Sequence, residues 1–352
     1  MNKEIPSISG LRAVSIFIVL LSHWTRSTNI PSQLKFILEY LDGSIGVRFF
    51  FVISGFLITY LLINEQNKNG RIDIKKFYLR RTLRIFPVFY AFLVVIILLK
   101  YFDIVNVDAL SIVGGFLYIE NFKITPFNWL TGHSWSLAVE EQFYLLWPAI
   151  FILFRYKFSN QFLIFVLILG AVMRGFYYKY TEASKIFLAP FFMNADLLYL
   201  GCFLGFLFYY KKKEVENFIA KISTIHIFVL VAFVIIFTKL EYHPVYDKFF
   251  IPFTGTIVAC SSGIILLYSI LNPATLFFRF LNNSSIVFIG KLSYSLYVWQ
   301  QLFIGSEHCL IDKRFSFLQL FPQNMLCVFI MALLSYYIIE IPFLNLKKKL
   351  SN

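Results

Sequence analysis

Charged residues are scarce in this chain: Asp, Glu, Lys and Arg make up 14% of its 352 residues, whereas 59% are hydrophobic. Average soluble domains carry about 25% charged residues, so the chain has too little ionic surface for a fold that faces water. This excludes a soluble globular protein and indicates that the lipid bilayer is the solvent. At about 20 residues for each transmembrane helix, the apolar residues suffice for about ten spans and leave no separate soluble domain.

Cysteine is also rare, and its placement excludes two further kinds of site. Cys202, Cys260, Cys309 and Cys327 show no paired spacing, which argues against a disulfide framework and against a zinc site. We therefore expect no metal. The N-terminal apolar stretch is interrupted by Arg12 and lacks a small-x-small cleavage site, so it is interpreted as a retained first span.

Acidic residues are the scarcer charge, since 19 Asp and Glu stand against 32 Lys and Arg, a formal net charge of +13. A net positive charge of this size is also found in proteins that bind nucleic acid. The cations lie in short blocks between apolar runs, however, where they orient spans and meet anionic headgroups or ligands. We expect the lipid bilayer as a partner and no nucleic acid.

Long apolar runs predict an all-α integral membrane protein with about ten transmembrane helices. A further apolar stretch, from Ala109 to Tyr118, is too short to cross. It contains Gly114 and Gly115, so a short interfacial or re-entrant segment is predicted near residues 108–120. The predicted spans are residues 7–25, 44–63, 85–102, 138–154, 161–179, 190–210, 222–239, 251–271, 286–304 and 320–340.

The distribution of basic residues predicts the orientation of these spans. With the N-terminus in the cytoplasm, eighteen Lys and Arg residues fall on inner segments and ten on outer segments. Cytoplasmic loops carry the excess of Lys and Arg. We therefore expect both termini in the cytoplasm and an even number of spans.

Charged groups inside membrane helices are costly and are functional candidates by default. On span one, Arg12 and His23 are eleven residues apart, which is about 16 Å along a helix and about three turns. Both side chains thus face the same direction, with His23 toward the outer end. The alternative is that Arg12 snorkels and His23 is an interfacial residue.

A basic run leads into span three, from Lys75 to Pro87. Arg81 and Arg84 are three residues apart and share a helix face, with Arg80 and Lys76 just before them. Guanidinium groups bind phosphates with two parallel hydrogen bonds, so a phosphate-rich cytoplasmic ligand such as coenzyme A suits the cluster. A topology signal that meets anionic lipid explains the charge equally well.

Two adjacent carboxylates, Glu140 and Glu141, lie near the predicted outer end of span four. They point about 100° apart on a helix, so at most one is expected to face His23. A carboxylate that bonds an imidazole orients it and raises its basicity. The alternative role is that of satisfying backbone donors at the helix N-terminus.

Three weaker signals favour structural roles. Ser54 and Gly55 in span two favour close helix packing, and Arg48 at its outer end is consistent with a headgroup anchor. The H-x-x-x-D spacings from His243 and His308 are attributed to chance. In span nine, Tyr294 is expected to pack with its hydroxyl satisfied by backbone.

Six blocks of sequence occur in one order along nearly the whole chain. They are GLRAVSIFIVLLSH (Gly10–His23), GVRFFFVISGFLIT (Gly46–Thr59), RRTLRIFP (Arg80–Pro87), HSWSLAVEEQFYLLWP (His133–Pro148), SYSLYVW (Ser293–Trp299) and IEIPF (Ile339–Phe343). Together they resemble the membrane-bound acyltransferase family 3, the O-antigen and exopolysaccharide O-acyltransferases of bacteria.

The resemblance implies a ten-helix acyltransferase membrane domain, here residues 1–352, that moves an acyl group from cytoplasmic acyl-CoA to a sugar hydroxyl at the outer face. The Arg-x10-His pair of the family is matched by Arg12 and His23, and its Arg-x-x-Arg by Arg81 and Arg84. Because the chain ends after span ten, we expect the stand-alone form without a periplasmic hydrolase-like domain. Family members often have a histidine where this chain has Gln300, which puts an acceptor-binding role of that position in doubt.

The leading hypothesis is transfer of an acetyl group from acetyl-CoA to a cell-surface glycan such as O-antigen, by a multi-pass protein of the bacterial inner membrane. In this hypothesis His23 is the general base or a transient acyl carrier, Glu140 or Glu141 orients it, and Arg12 lies beside the pantetheine arm. The expected phosphate-binding residues are Arg81, Arg84, Arg80 and Lys76. Two alternatives stay open: an acyltransferase for a small-molecule acceptor, and a transporter of a glycan or lipid-linked sugar.

Overall fold

The structure is a computed structural model that describes residues 5–27, 29–122, 124–153, 159–181, 190–305 and 313–351. Its regular elements are helices, which confirms the predicted all-α integral membrane protein. Two 3₁₀ segments (Glu120–Phe122 and Lys313–Gln319) and one π-helical segment (Tyr336–Glu340) accompany the α-helices. In chain order the α-helices are α1 (Ile8–Trp24), α2 (Ser32–Leu38), α3 (Gly43–Asn69), α4 (Ile74–Tyr101), α5 (Ala109–Phe116), α6 (Trp129–Gly132), α7 (Ser134–Leu153), α8 (Asn160–Thr181), α9 (Phe191–Tyr210), α10 (Lys212–Ile219), α11 (Thr224–Glu241), α12 (Asp247–Leu271), α13 (Leu276–Leu281), α14 (Ser284–Phe303), α15 (Gln323–Ser335) and α16 (Ile341–Ser351).

Each of the ten predicted spans coincides with a helix. Within the described residues, eight helical stretches are long and apolar enough to cross a membrane, α6 with α7 and α15 with α16 each counting as one. The other two spans are α1, apolar but only 17 residues long, and α14, which is 20 residues long. In α14 the side chains of Ser295, Gln300 and Gln301 are buried, so they contact protein and need not be apolar. The cytoplasmic placement of the termini stays a prediction.

Two predicted helix starts are wrong, and both errors bear on the site. Span three was predicted from residue 85, but α4 begins at Ile74, where Asp73 caps it by accepting a hydrogen bond from the backbone N–H of Lys76 (3.0 Å). The basic run is therefore part of the helix. Span four was predicted from residue 138, but α7 begins at Ser134, so Glu140 and Glu141 lie in its second turn.

Contacts divide the chain into two compact units. Unit 1 contains the described residues of Met1–Val19, Asp42–Ile72 and Leu146–Lys291, and unit 2 those of Leu20–Leu41, Asp73–Leu145 and Leu292–Asn352. Three of the five boundaries between them fall within helices, in α1, α7 and α14. A single membrane domain over residues 1–352 stays a prediction.

The most extensive helix packing in unit 1 joins α3 to α9. A Cβ added at Gly55 would lie 2.0 Å from the carbonyl oxygen of Leu198, and one added at Gly201 would lie 2.2 Å from that of Val52. Gly201 and Gly205 form a Gly-x-x-x-Gly pair, the spacing that lets membrane helices approach closely. The expectation that Gly55 serves packing is confirmed.

Buried ion pairs also tie unit 1 together. Arg174 on α8 donates two hydrogen bonds to the carboxylate of Asp196 on α9 (3.0 and 2.9 Å), and both side chains are at most 3% exposed. Arg48 donates to Glu241 (2.8 Å) and is 12% exposed, so it is a partner in a buried pair and not a headgroup anchor.

In unit 2, the short segment predicted near residues 108–120 is the eight-residue helix α5 followed by the 3₁₀ turn Glu120–Phe122. Asn121 and Gln142 exchange two hydrogen bonds of 2.9 Å between their side-chain amides. This reciprocal pair fastens the segment to α7.

Candidate active site

His23 lies in the last turn of α1, and Arg12 lies on the same unbroken helix. At 1.5 Å for each residue, the eleven-residue separation corresponds to about 16 Å along its axis. Both are half-buried. Arg12 belongs to unit 1 and His23 to unit 2, so the candidate site is described from the residues of unit 2, and the role of Arg12 stays a prediction.

The imidazole of His23 is held by an amide from α14. Its Nδ1 lies 3.0 Å from Oε1 of Gln300, a side chain with no exposed surface. Because an amide oxygen only accepts hydrogen bonds, Nδ1 carries the proton and Nε2 is the basic nitrogen. Gln300 therefore fixes the tautomer that a general base requires.

An indole packs against the same imidazole. The rings of His23 and Trp129 meet edge-on with centroids 5.3 Å apart, and the guanidinium of Arg26 lies 4.7 Å from the centre of the indole. Trp129 is fixed in turn, because its Nε1–H donates to the carbonyl of Ile304 (2.8 Å). The position of His23 is thus set by packing as well as by hydrogen bonding.

A second histidine is held in the same way by the next residue of α14. Oε1 of Gln301 lies 2.7 Å from Nδ1 of His133 and accepts the backbone N–H of His133 at 3.1 Å. His133 interacts electrostatically with His23. Adjacent amides of one helix therefore position two neighbouring imidazoles.

Several polar atoms around this pair are buried and have no hydrogen-bond partner within the described part of the chain. Among them are Nε2 of Gln300, Nε1 of Trp299 and Nε2 of His133. Buried polar groups in proteins are nearly always hydrogen-bonded. These atoms therefore suit a polar substrate, with the amide and indole as donors and the imidazole as acceptor.

The two carboxylates interact with residues of the neighbouring helices. Glu141 interacts electrostatically with Arg81, and Glu140 with Tyr297 and Tyr294. The amide of Gln300 occupies the place at Nδ1 of His23 that was expected for a carboxylate. Pairing of either glutamate with His23 stays a prediction.

The basic run forms a cluster on the first turns of α4. Arg80, Arg81 and Arg84 are half-buried, whereas Lys76 is exposed. The guanidinium of Arg81 lies 5.5 Å from the ring centre of Tyr144 on α7, a distance at which cations are attracted to aromatic faces. The three arginines thus lie at the protein side of the helix, and Lys76 at its surface.

Sequence reasoning missed Gln300, Gln301 and His133, although one signal points to the two amides. Two adjacent glutamines inside an apolar span break the hydropathy pattern, and such residues are functional candidates. The resemblance to the family did not point to Gln300, since family members often have a histidine at that position. The sequence does not indicate which side chains the two glutamines contact.

The remaining sequence candidates have structural contacts or lie elsewhere. Tyr294 donates its hydroxyl to the carbonyl of Ile85 (2.6 Å), as expected. Asp247 accepts a hydrogen bond from the hydroxyl of Tyr178 (2.8 Å), while His243 is exposed. His308 and Asp312 lie outside the described residues.

The long apolar helices define a multi-pass membrane protein, and unit 2 combines a tautomer-fixed imidazole with a cluster of guanidinium groups. The family model for this architecture, described as an acyltransferase domain (Acyl_transf_3), matches residues 5–341. The chain therefore belongs to the acyltransferase 3 family, as the resemblance indicated.

Known relatives cover most of the chain. It is 28% identical to the peptidoglycan O-acetyltransferase OatA of Listeria monocytogenes, over 97% of this chain and 56% of that protein. It is 32% identical to a putative O-acetyltransferase of Staphylococcus aureus strain COL, over 97% of this chain and 57% of that protein. The chain thus spans little more than half the length of these relatives. No solved structure matches it.

Proposed function

We propose that this protein is an O-acetyltransferase that moves an acetyl group from acetyl-CoA to a hydroxyl of a cell-surface glycan. The observation that carries the proposal is the contact between His23 and Gln300, which leaves Nε2 as the basic nitrogen. It lies within a chain that belongs to an acyltransferase family. Relatives named O-acetyltransferases support acetyl as the group transferred.

In the proposed reaction His23 is the general base. The acceptor hydroxyl attacks the thioester carbonyl carbon while its proton passes to Nε2 of His23. The C–S bond then breaks, and the imidazolium returns the proton to the thiolate of coenzyme A. One C–O bond replaces one C–S bond, and His23 ends in its starting tautomer.

The donor is proposed to bind at the basic cluster of α4. Arg81 and Arg84 would donate hydrogen bonds to the phosphates of coenzyme A, because guanidinium groups form charge-assisted bonds to phosphate oxygens. Glu141, through its interaction with Arg81, would help to position that guanidinium.

The acceptor is proposed to be a glycan outside the cytoplasm. The relative from Listeria is named for peptidoglycan, which favours peptidoglycan over O-antigen as the acceptor of this chain. The unsatisfied donors and acceptors near His23 suit a ligand rich in hydroxyl and amide groups. The protein is placed by this proposal in the cytoplasmic membrane of a bacterium.

The test uses inverted membrane vesicles that contain the full chain and receive radiolabelled acetyl-CoA. Label is expected on the glycan with wild type, and His23→Ala should abolish transfer although the protein still inserts. His243→Ala is the matched control, because that exposed histidine lies in a loop. Near-normal transfer by His23→Ala would overturn the assignment of the base.

The same assay separates the alternatives. Label on a small soluble acceptor would favour a small-molecule acyltransferase, and a glycan that crosses the membrane without label would favour a transporter. For the donor site, Arg81→Gln and Arg84→Gln should weaken binding of coenzyme A in calorimetry. Unchanged affinity in both variants would refute the phosphate role.

A further inference from the structure

A fourth cation joins the arginine cluster from the other end of the chain. Lys347 lies on α16, which packs against α4 within unit 2, and it interacts electrostatically with Arg84, Arg81 and Arg80. In the run Lys347 to Lys349, Lys347 is half-buried and its two successors are exposed. Successive helix residues point about 100° apart, so Lys347 is the member of the run that faces α4.

The place of Lys347 is set by the turn that precedes its helix. Tyr336–Glu340 forms a π-helical turn between α15 and α16, and π turns often mark functional sites. The carboxylate of Glu340, only 6% exposed, accepts a hydrogen bond from Ser295 of α14 (3.0 Å). This hydrogen bond joins the turn that precedes α16 to α14.

The basic side chains of Lys347, Arg80, Arg81 and Arg84 repel one another, and Glu141 also acts on Arg81. Charged groups at membrane helices are retained mainly for function. A ligand with several negative charges turns this repulsion into attraction. The diphosphate and ribose phosphate of coenzyme A offer several phosphate groups to such a cluster.

We propose that Lys347 is a phosphate-binding residue of the donor site, so that the C-terminal helix supplies the fourth cation for a polyphosphate-bearing acyl donor. The inference rests on the proposed function and deepens it. It assigns to α16 a direct part in donor binding.

The test measures binding of coenzyme A to the full chain purified in detergent. Lys347→Gln should weaken binding about tenfold or more, as expected for loss of one charge-assisted hydrogen bond, and Lys347→Arg should restore most of it. Lys348→Gln, one residue along on the exposed side, is the matched control and should bind like wild type. In transfer assays, Lys347→Gln should raise the KM for acetyl-CoA and leave kcat at saturating donor close to that of wild type.

Thermal unfolding separates this role from a structural one. Without ligand, Lys347→Gln and Lys347→Met should unfold close to the wild-type temperature or above it, while stabilisation by coenzyme A should shrink. A lower unfolding temperature without ligand, or affinity equal to that of Lys348→Gln, would overturn the inference. If Arg81→Gln and Arg84→Gln weaken binding and Lys347→Gln does not, only this inference fails. If wild type binds no coenzyme A, the proposed function fails with it.

Discussion

Replacing Gln300 by methionine tests the central feature of the site. The substitution keeps the length and bulk of the side chain but removes the oxygen that accepts the Nδ1–H of His23. Because Gln300 has no exposed surface, water does not simply take its place. The imidazole then loses the bond that fixes both its tautomer and its orientation.

The magnitude follows from this contact. A neutral hydrogen bond contributes about 1 kcal/mol, and a buried donor left unpaired costs about 1–3 kcal/mol. At about 1.4 kcal/mol for each factor of ten in rate, kcat should fall roughly 10- to 100-fold. The KM for acetyl-CoA should change little, because Gln300 is proposed to act through His23 and not on the donor phosphates.

The assay is steady-state acetyl transfer in vesicles with matched amounts of inserted protein. Gln300→Glu retains an acceptor oxygen and should recover at least part of the lost rate. Gln142→Met is the control, because it removes an amide whose partner is Asn121 and should leave kcat per folded molecule near wild type. A kcat for Gln300→Met within twofold of wild type, or a loss confined to KM, would refute the positioning role.

Three further predictions concern stability, measured as thermal unfolding in detergent. Asp196→Ala leaves the Arg174 guanidinium buried without its carboxylate and should lower the free energy of unfolding by about 3–5 kcal/mol. The control Glu214→Gln, in the exposed pair with Lys211, should lower it by less than about 1 kcal/mol. Equal losses in the two variants would contradict the importance of burial. Gly55→Ala places a Cβ 2.0 Å from a backbone oxygen and should destabilise the protein by about 1–3 kcal/mol or more. The control Gly175→Ala, whose Cβ would have its nearest atom at 3.3 Å, should destabilise it only slightly. Unchanged stability of Gly55→Ala would show that α3 and α9 are not packed so closely. Burial raises the pKa of the Glu120 carboxyl to about 7, so the folded state binds this proton more tightly than the unfolded chain does. Stability should therefore fall as pH rises from about 5 through 7. Glu120→Gln should flatten this pH dependence, and an unchanged pH profile in the variant would exclude Glu120 as its source.

Much of the architecture follows from local patterns in the sequence. A bilayer-spanning helix must be apolar over a continuous stretch, so hydropathy alone located a helix at each of the ten predicted spans. Helix periodicity likewise placed Arg12 and His23 about 16 Å apart on one helix and put Arg81 and Arg84 on one face. The predicted starts of spans three and four are late, because the first turns of α4 and α7 contain charged or polar residues that are helical, whereas hydropathy marks only apolar stretches.

The sequence by itself therefore determined the membrane class, the helices and the family, since these depend on patterns within one segment or along the chain. Only the tertiary structure decided which polar groups meet: Gln300 with His23 across 277 positions, and Lys347 with the arginines of α4. Such pairs depend on which faces of distant helices pack together. Hydropathy averages over all faces of a helix, so it does not indicate which faces pack together.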